Sequence, residues 1–245
     1  MELREYSDRS IYRRRVSPAG LVAFTVSLAE SDLHVSARSD LSTRAAEALA
    51  AVRALIESHM RARPEFGTSL VPLPPDPAAP GVISRMLEAG RLAGTGPMAA
   101  VAGAVSGAVG RALMASSPDV IVENGGDLFV AGCQPRLCAV FAGESKLSMK
   151  LGVRVPAAEQ GLGVCTSSGT VGPSLSRGRA DAALVISADE CLADAAATEL
   201  GNRVRAREDL ESAIGWVRGV EGVAGALAIL GEDLAAWGEI ELVEI

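Results

Sequence analysis

The chain has 245 residues, of which 49% are hydrophobic and only 3% aromatic, so its core must be built from closely packed Ala, Val, Leu and Ile. Its formal net charge of -7 gives no electrostatic reason to expect nucleic acid or an anionic membrane as a partner. The run Arg13-Arg14-Arg15 is narrower than a nucleic-acid footprint, and we interpret it as the solvated face of a strand.

The first half of the chain predicts strands followed by helices. Residues 1–39 predict a meander, with β-type runs at 21–26 and 33–35. Apolar residues at three- and four-residue steps then predict a helix that Ser42 or Thr43 caps and that ends near Arg61.

Five prolines between residues 72 and 80 form the clearest break in the chain. They either separate two lobes or carry the chain over the surface of a single domain that spans residues 1–245. Two helices are predicted after this break, one over 82–92 and one that ends near Ala115. The second is rich in Ala and Gly rather than strongly apolar residues, so we expect a buried helix with close neighbours and not a membrane span.

The second half of the chain predicts mainly strands. Two β-rich runs within 119–131 flank an Asn-Gly-Gly-Asp turn and predict a hairpin. Further strands are predicted at 137–142, 150–155, 182–187, 227–230 and 239–244. Because the strands come in runs rather than in alternation with helices, the fold class is α+β with mixed sheets.

Two helices interrupt these strands. The first begins near Ala188, where Ser187 and Glu190 have the spacing of a capping box, and Gly201 occupies the position of a C-terminal cap. The second covers 208–217.

Asp194 and Thr198 are the candidate metal ligands. They lie four residues apart on the first of these helices and therefore project from one face. A carboxylate and a hydroxyl are hard oxygen donors that suit Mg²⁺, which shares its coordination with waters and substrate phosphates. The alternative is a solvated acid beside an ordinary helix threonine.

The candidate phosphate-binding segment is the Ser/Thr/Gly-rich loop over 166–174, before the strand predicted at 182–187, because successive N–H groups in such a loop can form an anion nest. The alternative is a flexible polar loop with surface arginines. The candidate ligand-binding residues of this segment are Thr166, Ser167, Ser168, Gly169 and Thr170, followed by Arg177 and Arg179, which can pair with phosphate.

The hairpin turn is a third candidate, in which Gly125 and Gly126 would let a ligand approach while Asn124 or Asp127 hydrogen bonds to it. The alternative is that these are ordinary hairpin residues. Histidine chemistry is disfavoured, because His34 and His59 are far in sequence from every motif. The four cysteines lack the spacing of a zinc site, and the start of the chain has no apolar signal segment, so we expect a cytoplasmic protein.

In combination, these motifs resemble those of the ApbE-like superfamily. The resemblance rests on a small-residue helix, a Gly-Gly-Asp segment, a Thr-Ser-Gly loop and an Ala-Asp-Ala-x-x-Thr helix, which match 96–112, 120–130, 165–169 and 193–198 in that order. It implies a FAD:protein FMN transferase fold, with Asp194 and Thr198 as Mg²⁺ ligands and with Ser167, Ser168 and Gly169 near FAD or FMN.

The chain also departs from the transferase pattern. Residues 175–182 lack the His-x-x-Asp-Pro-x-Thr-Gly segment of those enzymes, and the small-residue helix lacks their lysine. The chain is most similar to an uncharacterised cytoplasmic branch, so no catalytic residue is assigned. Three functions stay open: a flavin-binding ApbE-like protein, a non-catalytic scaffold, and a Mg²⁺-dependent enzyme on another phosphorylated substrate. Self-association as a homo-oligomer is open as well.

Overall fold

The computed structural model describes residues 20–169 and 177–245, so the expectations for Arg13-Arg14-Arg15 and Thr170 lie outside the described residues. The helices are α1 (Ser42–Ala62), α2 (Pro64–Thr68), α3 (Gly81–Ala93), a 3₁₀ turn (Pro97–Ala100), α4 (Val101–Met114), α5 (Glu190–Arg203) and α6 (Asp209–Val217). The strands are β1 (Val22–Leu28), β2 (Ser31–Ala37), β3 (Val120–Asn124), β4 (Asp127–Gly132), β5 (Arg136–Ala139), β6 (Leu151–Val155), β7 (Ala158–Ser167), β8 (Ala182–Ser187), β9 (Val223–Leu230), β10 (Asp233–Gly238) and β11 (Glu241–Glu244).

The strands form an eight-stranded sheet in the order β1-β2-β3-β4-β7-β8-β9-β10 and a three-stranded sheet in the order β11-β6-β5. Neighbouring strands in both sheets are antiparallel. The predicted α+β class and the β3–β4 hairpin are therefore confirmed.

The large sheet is covered on both faces. Side chains alternate across a strand, and in β8 Ala183 and Val185 pack in the core shared with the helices, whereas Leu184 and Ile186 pack in the core shared with the small sheet. Every residue of β8 is consequently buried. The helix-side core contains Leu49 and residues from beyond the proline-rich segment, and that segment runs along the surface.

Sequence reasoning missed β7, which lies between β4 and β8 in the large sheet. Its glycines weaken the strand signal but serve the packing. A Cβ on Gly161 would overlap the ring of Phe129, and a Cβ on Gly163 would lie 2.5 Å from the Cα of Glu190. Glycine is therefore needed where a ring and a helix approach the strand backbone. The missed strand takes in Thr166 and Ser167, which were expected in a loop.

The expected capping box of α5 is wrong. Asp189 is the N-cap residue, and its carboxylate accepts hydrogen bonds from the N–H groups of Cys191 at 2.8 Å and Leu192 at 3.2 Å. Ser187 Oγ instead donates to the Gly222 carbonyl at 2.8 Å. Glu190 is completely buried and turns toward two arginines, which offer a carboxylate stronger bonds than a backbone amide does.

Two other cap expectations are also wrong. Helix α1 has Leu41 at its N-cap, and the N–H of Ser42 donates to Asp40 Oδ1 at 2.9 Å. Gly201 lies inside α5, which continues to Arg203 with Val204 as C-cap. The Gly201 carbonyl leaves no room for a Cβ on Gly178, so the close approach requires glycine at 178, whereas a Cβ on Gly201 itself would lie 3.5 Å from the nearest atom.

Helix α4 crosses α5 at very short range. A Cβ on Gly103 would overlap the Glu190 carbonyl, and one on Gly107 would overlap the Glu190 carboxylate. In the described part of the chain, the stretch Pro97–Met114 is the one helical segment long and apolar enough to cross a membrane, and 56% of it is buried inside the protein. This burial agrees with the expected small-residue packing helix.

We predict that Gly107→Ala destabilises the protein although Ala favours a helix. The added methyl group would collide with a carboxylate that two arginines hold in place, and overpacking of this kind costs about 1–3 kcal/mol. The matched control is Gly215→Ala in α6, where nothing lies within 4 Å of the added Cβ and the unfolding free energy should rise by about 0.4–1 kcal/mol. Urea unfolding measures both, and equal effects would show that the α4–α5 contact is not tight.

Candidate functional site

The hairpin turn lies beside the end of β7. Asp127 is buried, and its carboxylate lies near the Thr166 N–H and the Cys165 thiol, which itself donates to the Glu190 carbonyl at 3.7 Å. Gly126 has φ of +110°, and a Cβ there would lie 3.4 Å from the Thr166 carbonyl oxygen. Two segments that are distant in sequence, the Gly-Gly-Asp turn and the Thr-Ser strand end, are therefore neighbours in the fold.

Asp194 lies at the N-terminal end of α4. Its Oδ2 accepts a hydrogen bond from the Gly103 N–H at 2.8 Å, and the Ala102 N–H also donates to this carboxylate. The side chain of Asn124 approaches the same turn, donating to the Ala102 carbonyl at 3.2 Å. Free N–H groups in the first turn of a helix attract negative charge, so α4 orients the Asp194 carboxylate.

Asp127 and Asp194 form a carboxylate pair that is held largely out of water. Burial raises the pKa of Asp127 to about 7; the nearby Cys165 thiol and Thr166 N–H oppose this rise, and the charge of Glu123 adds to it. Burial also raises the pKa of Asp194 well above its usual value, and the charge of Asp127 raises it further. Two buried carboxylates whose charges repel each other cannot both ionise freely, so this pair holds a proton or requires a neighbouring cation.

Thr198 is half-buried and lies one turn beyond Asp194 on α5. Within 20–169 and 177–245, no group of three or more His, Cys, Asp and Glu residues is arranged to hold a metal ion. The candidate donors are the carboxylate of Asp194, with or without that of Asp127, and the hydroxyl group of Thr198, all of which are hard oxygen ligands. This set fits Mg²⁺, which completes its coordination with waters and ligand phosphates, and it does not fit a zinc site.

The described part of the Ser/Thr/Gly-rich segment offers fewer free donors than an anion nest requires. The Gly169 N–H donates to the Ala180 carbonyl at 2.8 Å, and Ser168 Oγ points to the same oxygen at 3.5 Å. A Cβ on Gly169 would overlap the Gly178 carbonyl. This glycine therefore permits contact with protein backbone, and the hydroxyl groups of Thr166 and Ser167 are the polar groups that end the strand.

Arg177 and Arg179 are both exposed, and their backbones are anchored to the end of α5. The Arg177 N–H donates to Asn202 Oδ1 at 2.8 Å, and the Arg179 N–H donates to the Val204 carbonyl at 2.7 Å. Sequence reasoning missed Asn202, although it lies eight residues after Asp194 and hence on the same helical face. Cys165, the first residue of the matched 165–169 stretch, is completely buried.

The fold defines an ApbE-like protein, which is the class that the sequence motifs predict. The chain belongs to the family described as AbpE bacteria, whose model matches residues 13–215. It is 42% identical over 201 residues to a UPF0280 protein of Methanosarcina barkeri, covering 81% of this chain and 79% of the relative. A UPF0280 protein of Methanosarcina acetivorans is 43% identical over 198 residues, covering 80% of this chain and 78% of that protein.

Solved structures with low sequence identity share the fold. The flavinyl transferase ApbE of Pseudomonas stutzeri, in its apo form, matches with a TM-score of 0.58 and 14% identity over 89% of this chain and 94% of that one. The ApbE protein of Thermotoga maritima matches with a TM-score of 0.52 and 14% identity over 88% of this chain and 96% of that one. At this identity the likeness establishes the architecture and not the activity.

We predict that Asp127→Asn changes the pH dependence of stability in protein kept free of divalent cations. The unfolded chain releases the Asp127 proton near pH 4, whereas the folded protein keeps it to about pH 7. The folded state binds more protons in this interval, so the contribution of Asp127 to the unfolding free energy is lost as pH rises from about 4 through 7.

An amide stays neutral, so the stability of the variant relative to the natural protein should increase by roughly 2–4 kcal/mol between pH 5 and pH 8. Urea unfolding at a series of pH values measures this difference. Asp233→Asn, which replaces a partly exposed carboxylate, is the control and should follow the natural protein. Parallel curves for Asp127→Asn and the natural protein would show that the buried carboxyl is ionised throughout.

Proposed function

We propose that this chain binds a flavin nucleotide, FAD or FMN, or a related phosphorylated ligand together with Mg²⁺. The observation that carries the proposal is the buried pair of Asp127 and Asp194, of which Asp194 is bonded to the N-terminal end of α4. Such a pair is costly without positive charge, and a divalent cation with a phosphate ligand supplies a balanced set of charges. The fold shared with the Pseudomonas stutzeri flavinyl transferase supports the flavin.

In this proposal Asp194 and Thr198 hold the metal ion. When bound, Mg²⁺ polarises phosphate oxygens and neutralises their charge. The Gly103 N–H fixes the orientation of the Asp194 carboxylate through Oδ2, and the proposal assigns the other carboxylate oxygen to the cation. The surroundings of Asp127 control whether its carboxyl group is neutral or ionised, and this protonation state sets the charge of the pocket.

The remaining polar groups of the site would contact the ligand itself. Ser167 lies opposite Ala183 and therefore faces the helix side of the sheet, whereas Thr166 lies opposite Leu184 and presents its backbone, rather than its hydroxyl group, to the Gly125-Gly126 turn. Asn124 is held near Asp194 by its hydrogen bond to the Ala102 carbonyl. Hydroxyl and amide groups suit the ribityl and phosphate oxygens of a flavin nucleotide. We place the protein in the cytoplasm, with a small phosphorylated ligand as its partner and a protein acceptor if it transfers FMN.

A second candidate is a non-catalytic scaffold that kept the fold. It is favoured by the hydrogen bond that the Gly103 N–H donates to Asp194, because a carboxylate that caps a helix has a structural role without any metal. The absence from 175–182 of the transferase histidine, and of the lysine from α4, also favours it. A Mg²⁺-dependent enzyme on another phosphorylated substrate would use the same oxygen ligands.

The test is a calorimetric titration of the purified chain with FAD, FMN and ADP, each with and without Mg²⁺. We expect one flavin nucleotide to bind in the presence of Mg²⁺ and to bind at least tenfold more weakly with EDTA. Asp194→Asn and Thr198→Val should weaken binding similarly, since each removes one oxygen ligand.

Thr198→Ser is the matched control, because it restores the hydroxyl group and should restore the affinity. Circular dichroism and thermal melting confirm that each variant is folded. If no nucleotide binds, or if Asp194→Asn and Thr198→Val bind as well as the natural chain, the scaffold is the better description. Mg²⁺-dependent binding of ADP alone would favour the enzyme on another substrate.

A further inference from the structure

A shallow depression of about 380 Å³ lies at the C-terminal end of α5. It is separate from the Asp127–Asp194 pair, and of its lining residues the sequence singled out Arg177 as a phosphate ligand. Its wall is strongly polar and carries three guanidinium groups and two carboxylates. The lining residues are Arg177, Glu199, Asn202, Arg203, Arg205 and Asp209.

The carboxylates of the wall are already engaged. Glu199 pairs with Arg203, with 3.0 Å between Oε1 and Nε. Asp209 Oδ2 accepts the backbone N–H groups of Arg205 and Ala206, each at 2.9 Å. The side chain of Arg177, in contrast, forms no ion pair with any residue in the described ranges, and that of Arg205 interacts with the Asp209 carboxylate through its charge alone. With three guanidinium groups and two carboxylates, the depression keeps a net positive charge on a chain whose formal net charge is -7.

The wall is also held in place. The Arg203 guanidinium stacks on the Trp216 ring, with its Cζ 4.3 Å from the ring centroid, while its Nε is fixed by Glu199. The Arg177 backbone is tied to Asn202 Oδ1 at 2.8 Å. Arginines that are oriented before binding lose less side-chain entropy when they take up a ligand.

The depression is aligned with the proposed metal site. Asp194, Thr198 and Asn202 are spaced by four residues and lie along one face of α5. Eight residues of helix rise by about 12 Å from Asp194 to Asn202. A ligand bound at Asp194 and extending along this face would bring a second group to the arginines.

We propose that this depression is a phosphate-binding site formed by Arg177, Arg203 and Arg205. Guanidinium groups match the oxygens of a phosphate in geometry and charge, and they bind it by paired hydrogen bonds. Three arginines against Glu199 and Asp209 leave one net positive charge, which exceeds the partial negative charge of about half an electron at the C-terminal end of α5. Only the assignment of this phosphate to the ligand at Asp194 rests on the proposed function.

The experiment uses inorganic pyrophosphate as the probe, in Mg²⁺-free buffer of low ionic strength, with binding measured by calorimetry. The natural chain should bind it, and Arg177→Gln/Arg205→Gln should bind at least tenfold more weakly. Arg61→Gln/Arg218→Gln makes the same change of net charge at exposed arginines outside the depression, and its affinity should stay within twofold. Lack of binding to the natural chain, or equal losses in both double variants, would overturn the proposal.

Two further binding measurements identify the source of the phosphate. Asp194→Asn should leave pyrophosphate binding unchanged, so this site is tested separately from the metal site. If Arg177→Gln/Arg205→Gln also weakens FAD binding in the presence of Mg²⁺, the phosphate belongs to the nucleotide. If FAD affinity is unchanged, or if FAD does not bind the natural chain, the site serves free phosphate, and the depression stands without the flavin proposal.

Discussion

The described fold depends on one buried carboxylate, that of Glu190, which lies between two arginines. Arg111 from α4 donates to both of its oxygens at 2.7 and 2.6 Å, and Arg85 from α3 reaches it at 2.7 Å. Glu190 has no exposed surface, so these guanidinium groups must compensate the loss of water. Because the three residues come from three helices, this single cluster fixes how α3, α4 and α5 meet.

The glycines around Glu190 follow from this cluster. Gly107 of α4 and Gly163 of β7 face it, and neither position has space for a Cβ. The helix can therefore lie directly on the sheet, and Asp194, one turn further on, reaches the first turn of α4. Because Glu190 is buried at this depth, Asp194 is buried as well. Burial disfavours the ionised form of Asp194, and the charge of Asp127 disfavours it further. Two carboxylates buried in this position lower the stability of the fold when they ionise.

Local patterns were sufficient for much of the fold. The β3–β4 hairpin was predicted because its turn chemistry is local, and α1, α3 and α4 were predicted because their apolar spacing and breakers are local. Strand β7 was missed because its glycines signal a turn when read alone, and they are explained only by the ring and the helix that pack on them. The capping box at Ser187 was wrong for a similar reason, since Arg85 and Arg111 are remote in sequence from Glu190.

By itself, the sequence determined the α+β class, the ApbE-like family and the identity of the helix that carries Asp194 and Thr198, because turn residues, periodicity and motif order are properties of neighbouring positions. The tertiary structure alone decided that Asp127 lies beside Asp194, that Gly169 contacts backbone rather than open solvent, and that Arg177 shares a depression with Arg203 and Arg205. These relations join residues from separate elements, and their energies come from burial and charge, which exist only once the chain has folded.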